Sequence, residues 1–137
     1  MAEILGGKET IGRDIESDLS MHEAILRGLP FSVLTHILDQ GVVTKHELFH
    51  YVISRRTYER RLRDKRLKAE ESERVARLSR MVAQARDVFA DDRKSHDWLR
   101  RPNRSLNGRV PLDLSTTDTG ARLVETVLSR AAHGVYS

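Results

Sequence analysis

The sequence contains no cysteine. That absence excludes a disulfide framework and any thiolate-based catalytic or metal site. Its N-terminus lacks an apolar run that could serve as a signal peptide or membrane span, so a cytoplasmic location and no membrane partner are expected. Strand-like alternation, internal repeats and low-complexity tracts are missing too, which leaves an all-α reading without a competitor. At 137 residues the chain suits one domain or two small lobes sharing a core, and leaves no room for a large enzyme.

What the chain has is positive charge in one place. The net charge is +4, but residues 1–54 carry 4 basic and 8 acidic side chains, residues 55–68 carry 8 and 2, and residues 69–137 carry 12 and 10. Dispersed charge is a solvated surface, whereas a local block of it suits a polyanion that releases counterions on binding. Nucleic acid is the partner this pattern points to.

Along the chain, residues 1–18 show no sustained apolar period and read as a flexible arm, with at most a short ordered piece from Ile11 to Ile15. Ser20 is placed to cap a helix that Gly28 ends, and Pro30 opens a second through Val33, Leu34, Ile37 and Leu38, closed by Gly41. Thr44 and Glu47 form a capping box for a third helix over about 44–53, with Leu48, Phe49, Val52 and Ile53 inward. Ser54 caps a fourth through Leu62. Two short helices around a tight turn, the second rich in arginine, make a helix-turn-helix unit. Val75, Leu78, Val82, Ala85 and Phe89 set the stripe of a long helix over 70–90, followed by one over 92–101 that stops before Pro102. A last helix runs from Thr117 or Asp118 to Ala132, with Gly134 as its stop.

His46-Glu47-Leu48-Phe49-His50 matches the H-E-x-x-H pattern of zinc hydrolases. Such a site needs a third ligand, a water-activating glutamate and a cleft. The longer form of the motif fails, since Ile53 and Arg56 stand where glycine and histidine are required, and Glu47 already serves as a capping partner. Neither catalytic residues, nor a metal, nor a cofactor are therefore expected. In a helix begun by Ser54, the side chains of Arg55, Arg56, Thr57 and Tyr58, with Arg60 and Arg61 one turn on, are placed to meet a DNA major groove.

Residues 97–114, "DWLRRPNRSLNGRVPLDL", gather Arg100, Arg101, Asn103, Arg104 and Arg109 around a tight loop for which DNA binding gives no reason. Here the chain resembles the Xre–MbcA–ParS antitoxins, partners of RES-domain toxins. The resemblance rests on Ile53-Ser54-Arg55-Arg56-Thr57, Glu70-Glu71-Ser72-Glu73-Arg74, and Trp98-Leu99-Arg100-Arg101-Pro102-Asn103-Arg104 with Leu106, Gly108, Pro111 and Leu112. It continues through Thr119-Gly120-Ala121 to His133-Gly134-Val135-Tyr136-Ser137, covering about residues 28–137. It implies a DNA-binding lobe, a toxin-binding lobe, and a RES partner that consumes NAD and whose pocket the antitoxin covers while repressing its own operon.

The expected organisation is therefore a flexible arm over 1–18, an Xre-like helix-turn-helix lobe over 19–68 and a toxin-binding lobe over 69–137. Trp98, Arg100, Arg101, Asn103, Arg104, Arg109, Gly134, Val135, Tyr136 and Ser137 are the expected toxin contacts. Operator DNA and a homodimer within a higher-order toxin–antitoxin complex are the expected assembly. A repressor that acts alone, without a toxin, is the rival reading.

Overall fold

The computed structural model describes residues 1–12 and 17–134, apart from the side chain of Lys8. Its elements follow in the order α1 (Gly7–Ile11), α2 (Asp18–Arg27), α3 (Ser32–Asp39), α4 (Lys45–Tyr51), α5 (Arg55–Asp64), α6 (Ala69–Phe89), α7 (Asp92–Arg100), two 3₁₀ turns, η1 (Arg104–Leu106) and η2 (Pro111–Thr116), and α8 (Asp118–Ala132). Among the described residues there is no strand, only two isolated bridges. The fold is all-α, as the sequence leads one to expect. No helix among the described residues is long and apolar enough to cross a membrane.

The chain divides into two compact units, Met1–Ala76 and Arg77–Ser137. In the first, α2 is capped by Ser17 rather than Ser20: the Ser17 hydroxyl accepts from the Ser20 amide (3.2 Å) and the Ser20 hydroxyl from the Ser17 amide (3.0 Å). Ser20 is the third helical residue of a reciprocal box, so the cap lies three positions earlier than expected. Gly28 ends α2 at φ 87°, and a Cβ there would lie 2.1 Å from the Leu67 carbonyl oxygen. That close approach lets Leu67 N–H donate to Leu29 (2.8 Å) and Phe31 N–H to Lys65 (3.0 Å), tying the α2–α3 link to the stretch after α5. Leu29 N–H in turn donates to the buried Ser72 hydroxyl (2.8 Å).

The arm differs from its expectation. Leu5 and Ile11 are buried, α1 packs against α3, and the Ser32 hydroxyl donates to the Thr10 carbonyl at 3.3 Å. Two apolar residues six positions apart create no period, so their burial left no trace in the pattern. Of the ordered piece expected over Ile11 to Ile15, all but Ile11 and Gly12 lies outside the described residues.

In the second unit, Ala90 reverses the chain in the left-handed region (φ 51°) and Asp91 caps α7 through the Lys94 amide (3.0 Å). Between α7 and α8, where the sequence suggests only a loop containing Asn107-Gly108, lie both 3₁₀ turns, and Leu106, Pro111 and Leu112 are buried there. Arg77, itself buried, donates from Nε to Ser115 O (2.8 Å) and from Nη2 to Thr116 O (3.1 Å), satisfying carbonyls at the end of η2. Thr117 then caps α8 through Gly120 N–H (2.9 Å).

Candidate functional site

Two arginine-bearing surfaces are built by local structure, one in each unit. In the first, Thr44 starts α4 with the expected capping box: its hydroxyl accepts from Glu47 N–H (3.1 Å) and Glu47 Oε1 accepts from Thr44 N–H (2.9 Å). The H-E-x-x-H glutamate is thus a helix cap. His46 and His50 are exposed, with the His50 ring edge-on to Tyr51 at 4.7 Å. Among the described residues no three metal-ligating side chains come together.

The chain turns after α4 with Val52 and Ile53 both donating to Leu48 O (2.9 and 3.1 Å), and Ser54 accepts from Thr57 N–H at 3.2 Å to begin α5. Val52 and Ile53 are buried, so this turn is held by packing as well as by its hydrogen bonds. With 3.6 residues per turn, the sides of α5 are then determined. Arg55, Arg56, Glu59, Arg60 and Arg63 are exposed along one broad face, Thr57 and Tyr58 are half-buried, and Arg61 is buried.

Arg61 departs from the DNA-facing group in which the sequence placed it. Its Nε donates to Glu71 Oε1 at 2.7 Å and its Nη1 to Asp64 Oδ2 at 3.0 Å. Glu71 also accepts from Lys68 N–H at 2.8 Å. Burial, the largest single influence on Glu71, opposes its charged form, but the Arg61 and Lys68 hydrogen bonds with the Arg61 and Arg74 charges outweigh it, and its pKa falls below the ordinary glutamate value. The Glu71 hydrogen bond raises Arg61 against the opposing effect of burial. Arg61 is therefore committed inside the fold. Arg63, which the sequence reading left out, takes the outward position.

An aromatic cluster backs the same face. Tyr58 meets Phe31 at 5.0 Å and Phe49 at 5.3 Å, both edge-on. Lys45 Nζ lies 5.6 Å from the centre of the Tyr58 ring, and the Arg55 guanidinium 5.6 Å from that of Phe49. Tyr58 is thus a packing residue between two rings that carries a cation on its face, and Phe49 orients Arg55.

In the second unit Trp98 is half-buried, its ring 5.6 Å from that of Phe89. Arg100 Nη1 donates to His96 O (3.1 Å), and Arg101 lies 3.6 Å from Asp97 with its side chain 75% exposed. Asn103 closes the loop: its amide donates to Arg109 O (3.0 Å), its carbonyl accepts from Gly108 N–H (2.8 Å), and its side-chain oxygen accepts from Ser105 N–H (2.9 Å). Asn103 is buried, so its side chain serves the loop rather than a partner, a correction to its expected place among the contacts. Asn107 (φ 55°) and Gly108 (φ 78°) complete a tight turn that leaves Arg104 and Arg109 exposed. Gly134 is exposed at φ 72° beyond α8, and Val135, Tyr136 and Ser137 lie outside the described residues.

These two surfaces fall within two family matches. Residues 20–80 match the antitoxin Xre-like helix-turn-helix domain, and residues 84–134 match the antitoxin Xre/MbcA/ParS C-terminal toxin-binding domain. Among similar proteins, an antitoxin Xre of Pseudomonas putida is 32% identical over 88% of this chain and 76% of its own length. One from Photorhabdus laumondii is 30% identical over 93% and 88%, and one from Yersinia enterocolitica 35% identical over 84% and 80%.

Proposed function

The chain belongs to the Xre/MbcA/ParS family of antitoxins, and on that premise we propose that it neutralises a RES-domain, NAD-degrading toxin and represses its own operon. It is not an enzyme; it acts by occupying surfaces. The observation that carries the reading is the pairing, on one chain, of a helix-turn-helix match with a toxin-binding match, each holding its own exposed arginine surface.

Repression is assigned to α5. Arg55, Arg56, Arg60 and Arg63 face the major groove, where guanidinium groups read guanine edges or hold phosphates, while Ser54 and Thr57 set the start of the helix. A homodimer presents two such helices to two half-sites. Neutralisation is assigned to Trp98, Arg100, Arg101, Arg104 and Arg109 with the C-terminal residues Gly134 to Ser137. Their arginine and aromatic side chains are the types that dominate binding hot spots, and a concave NAD pocket is a site such side chains can enter. Both roles place the protein in the cytoplasm, in a higher-order complex with toxin and operator.

The test is biochemical. A purified RES toxin that consumes NAD is expected to stop when the chain is added at equimolar ratio, and the two are expected to elute together. A toxin that keeps its full rate and elutes alone would leave the repressor without a toxin as the reading.

A further inference from the structure

Glu59 is the acid that the arginine face of α5 does not account for. At i, i+4 spacing it follows Arg55 and precedes Arg63, with Arg56 three residues before and Arg60 next to it, so arginines surround it on the exposed side of the helix. Asp64, the other acid of α5, is committed to Arg61 at 3.0 Å. Glu59 is exposed and, among the described residues, makes no ion pair or hydrogen bond through its side chain despite two arginines at the favourable spacing. No contact among the described residues holds the Glu59 carboxylate, so it is available on the arginine face.

On a helix that approaches DNA, a carboxylate is repelled by every phosphate it nears. It lowers affinity for all sequences except those that offer it a donor. In the major groove the donors are cytosine N4 and adenine N6, and adenine N6 sits beside the N7 acceptor, which repels a carboxylate. Cytosine is therefore the base that offsets the penalty. Its guanine partner presents O6 and N7 to a neighbouring arginine, so an acid flanked by arginines is matched to a C·G pair.

We propose that Glu59 is the specificity-determining residue of the DNA-facing helix, its carboxylate accepting a hydrogen bond from a cytosine N4 amino group and disfavouring other sequences. The proposal rests on the DNA-binding reading of α5 given above.

The experiment selects duplexes from a random-sequence pool with the full chain, as wild type, Glu59→Ala, Glu59→Gln and Arg56→Ala. Affinities are then measured at one salt concentration for the selected duplex, for a copy with the cytosine replaced, and for a scrambled duplex. The wild type is expected to select a fixed C·G pair and to lose about ten- to a hundredfold in affinity when that cytosine is replaced. Glu59→Ala is expected to be nearly indifferent to that replacement and to bind the scrambled duplex more tightly than wild type does. Glu59→Gln, matched in size, keeps an acceptor but adds an amide donor that suits adenine, so it is expected to relax the cytosine requirement toward adenine with unchanged circular dichroism and melting temperature, separating base reading from folding. If Glu59→Ala selects the same consensus with the same ratio, or gains affinity equally for all three duplexes, the carboxylate reads no base and the proposal is wrong. A wild type that selects no consensus, with Arg56→Ala binding scrambled DNA as wild type does, would instead remove the DNA-binding reading on which it rests.

Discussion

Arg61 and Glu71 meet at 2.7 Å inside the first unit, both at least nine-tenths buried, and their pairing fixes which arginines of α5 remain free to act. Removing either partner weakens the fold, although the remaining charge keeps a contact, Arg61 with Asp64 and Glu71 with the Lys68 amide. Glu71→Gln or Arg61→Ala is expected to lower stability by about 1–3 kcal/mol at neutral pH. The Asp64 contact adds little, because that carboxylate is half exposed. The sign with pH follows from Glu71. Its folded pKa is depressed, so its contribution is fully present above the ordinary glutamate pKa of about 4.3 and is lost as pH falls through the lower folded value. Chemical denaturation across that range should show the wild-type advantage over Glu71→Gln shrinking in acid. An advantage that stays constant in acid would mean the ion pair is not its source.

Ala90 occupies the left-handed region at φ 51°, where a Cβ is strained and glycine is not. Ala90→Gly is expected to stabilise the protein by up to about 1 kcal/mol, the reverse of the usual effect of glycine at an ordinary backbone position. Thermal melting checks it.

Gly120 lies in the first turn of α8, where alanine would ordinarily be favoured by helix propensity. Here a Cβ would stand 2.2 Å from the Leu114 carbonyl oxygen and 3.0 Å from the Thr117 hydroxyl that caps the helix. Gly120→Ala is therefore expected to destabilise, by about 1–3 kcal/mol as for other overpacked sites. In urea denaturation the midpoint should fall; a rise would mean that α8 and η2 part without penalty.

These positions also mark how far the sequence could be read. The capping box at Thr44, the Ser54 start of α5, the long α6 and the all-α class were legible because each has a local signature of spacing or cap chemistry. The rotation of α5 was not. Its one aliphatic residue, Leu62, is 53% exposed while Arg61 is buried, so the usual marker of the inner face points the wrong way. Arg63 was therefore passed over and Arg61 chosen. Asn103 was misplaced for a related reason: a polar side chain that closes its own loop looks like any other polar side chain until the partner amide is known. Ser72 went unread for a like reason: its role as acceptor for Leu29 N–H depends on a residue 43 positions away.

DNA binding and toxin neutralisation are assigned to different surfaces of one chain. Cells co-expressing a RES toxin separate the two, with cellular NAD and promoter occupancy read in the same culture for two variants, both checked for unchanged helical content. In the first, Arg55, Arg56, Arg60 and Arg63 become alanine. In the second, Arg100, Arg101 and Arg104 become alanine and residues 134–137 are deleted. The first is expected to lose the promoter and keep NAD intact, and the second to keep the promoter while NAD collapses. Full protection by the second variant, or loss of promoter binding and protection together in either, would contradict that assignment.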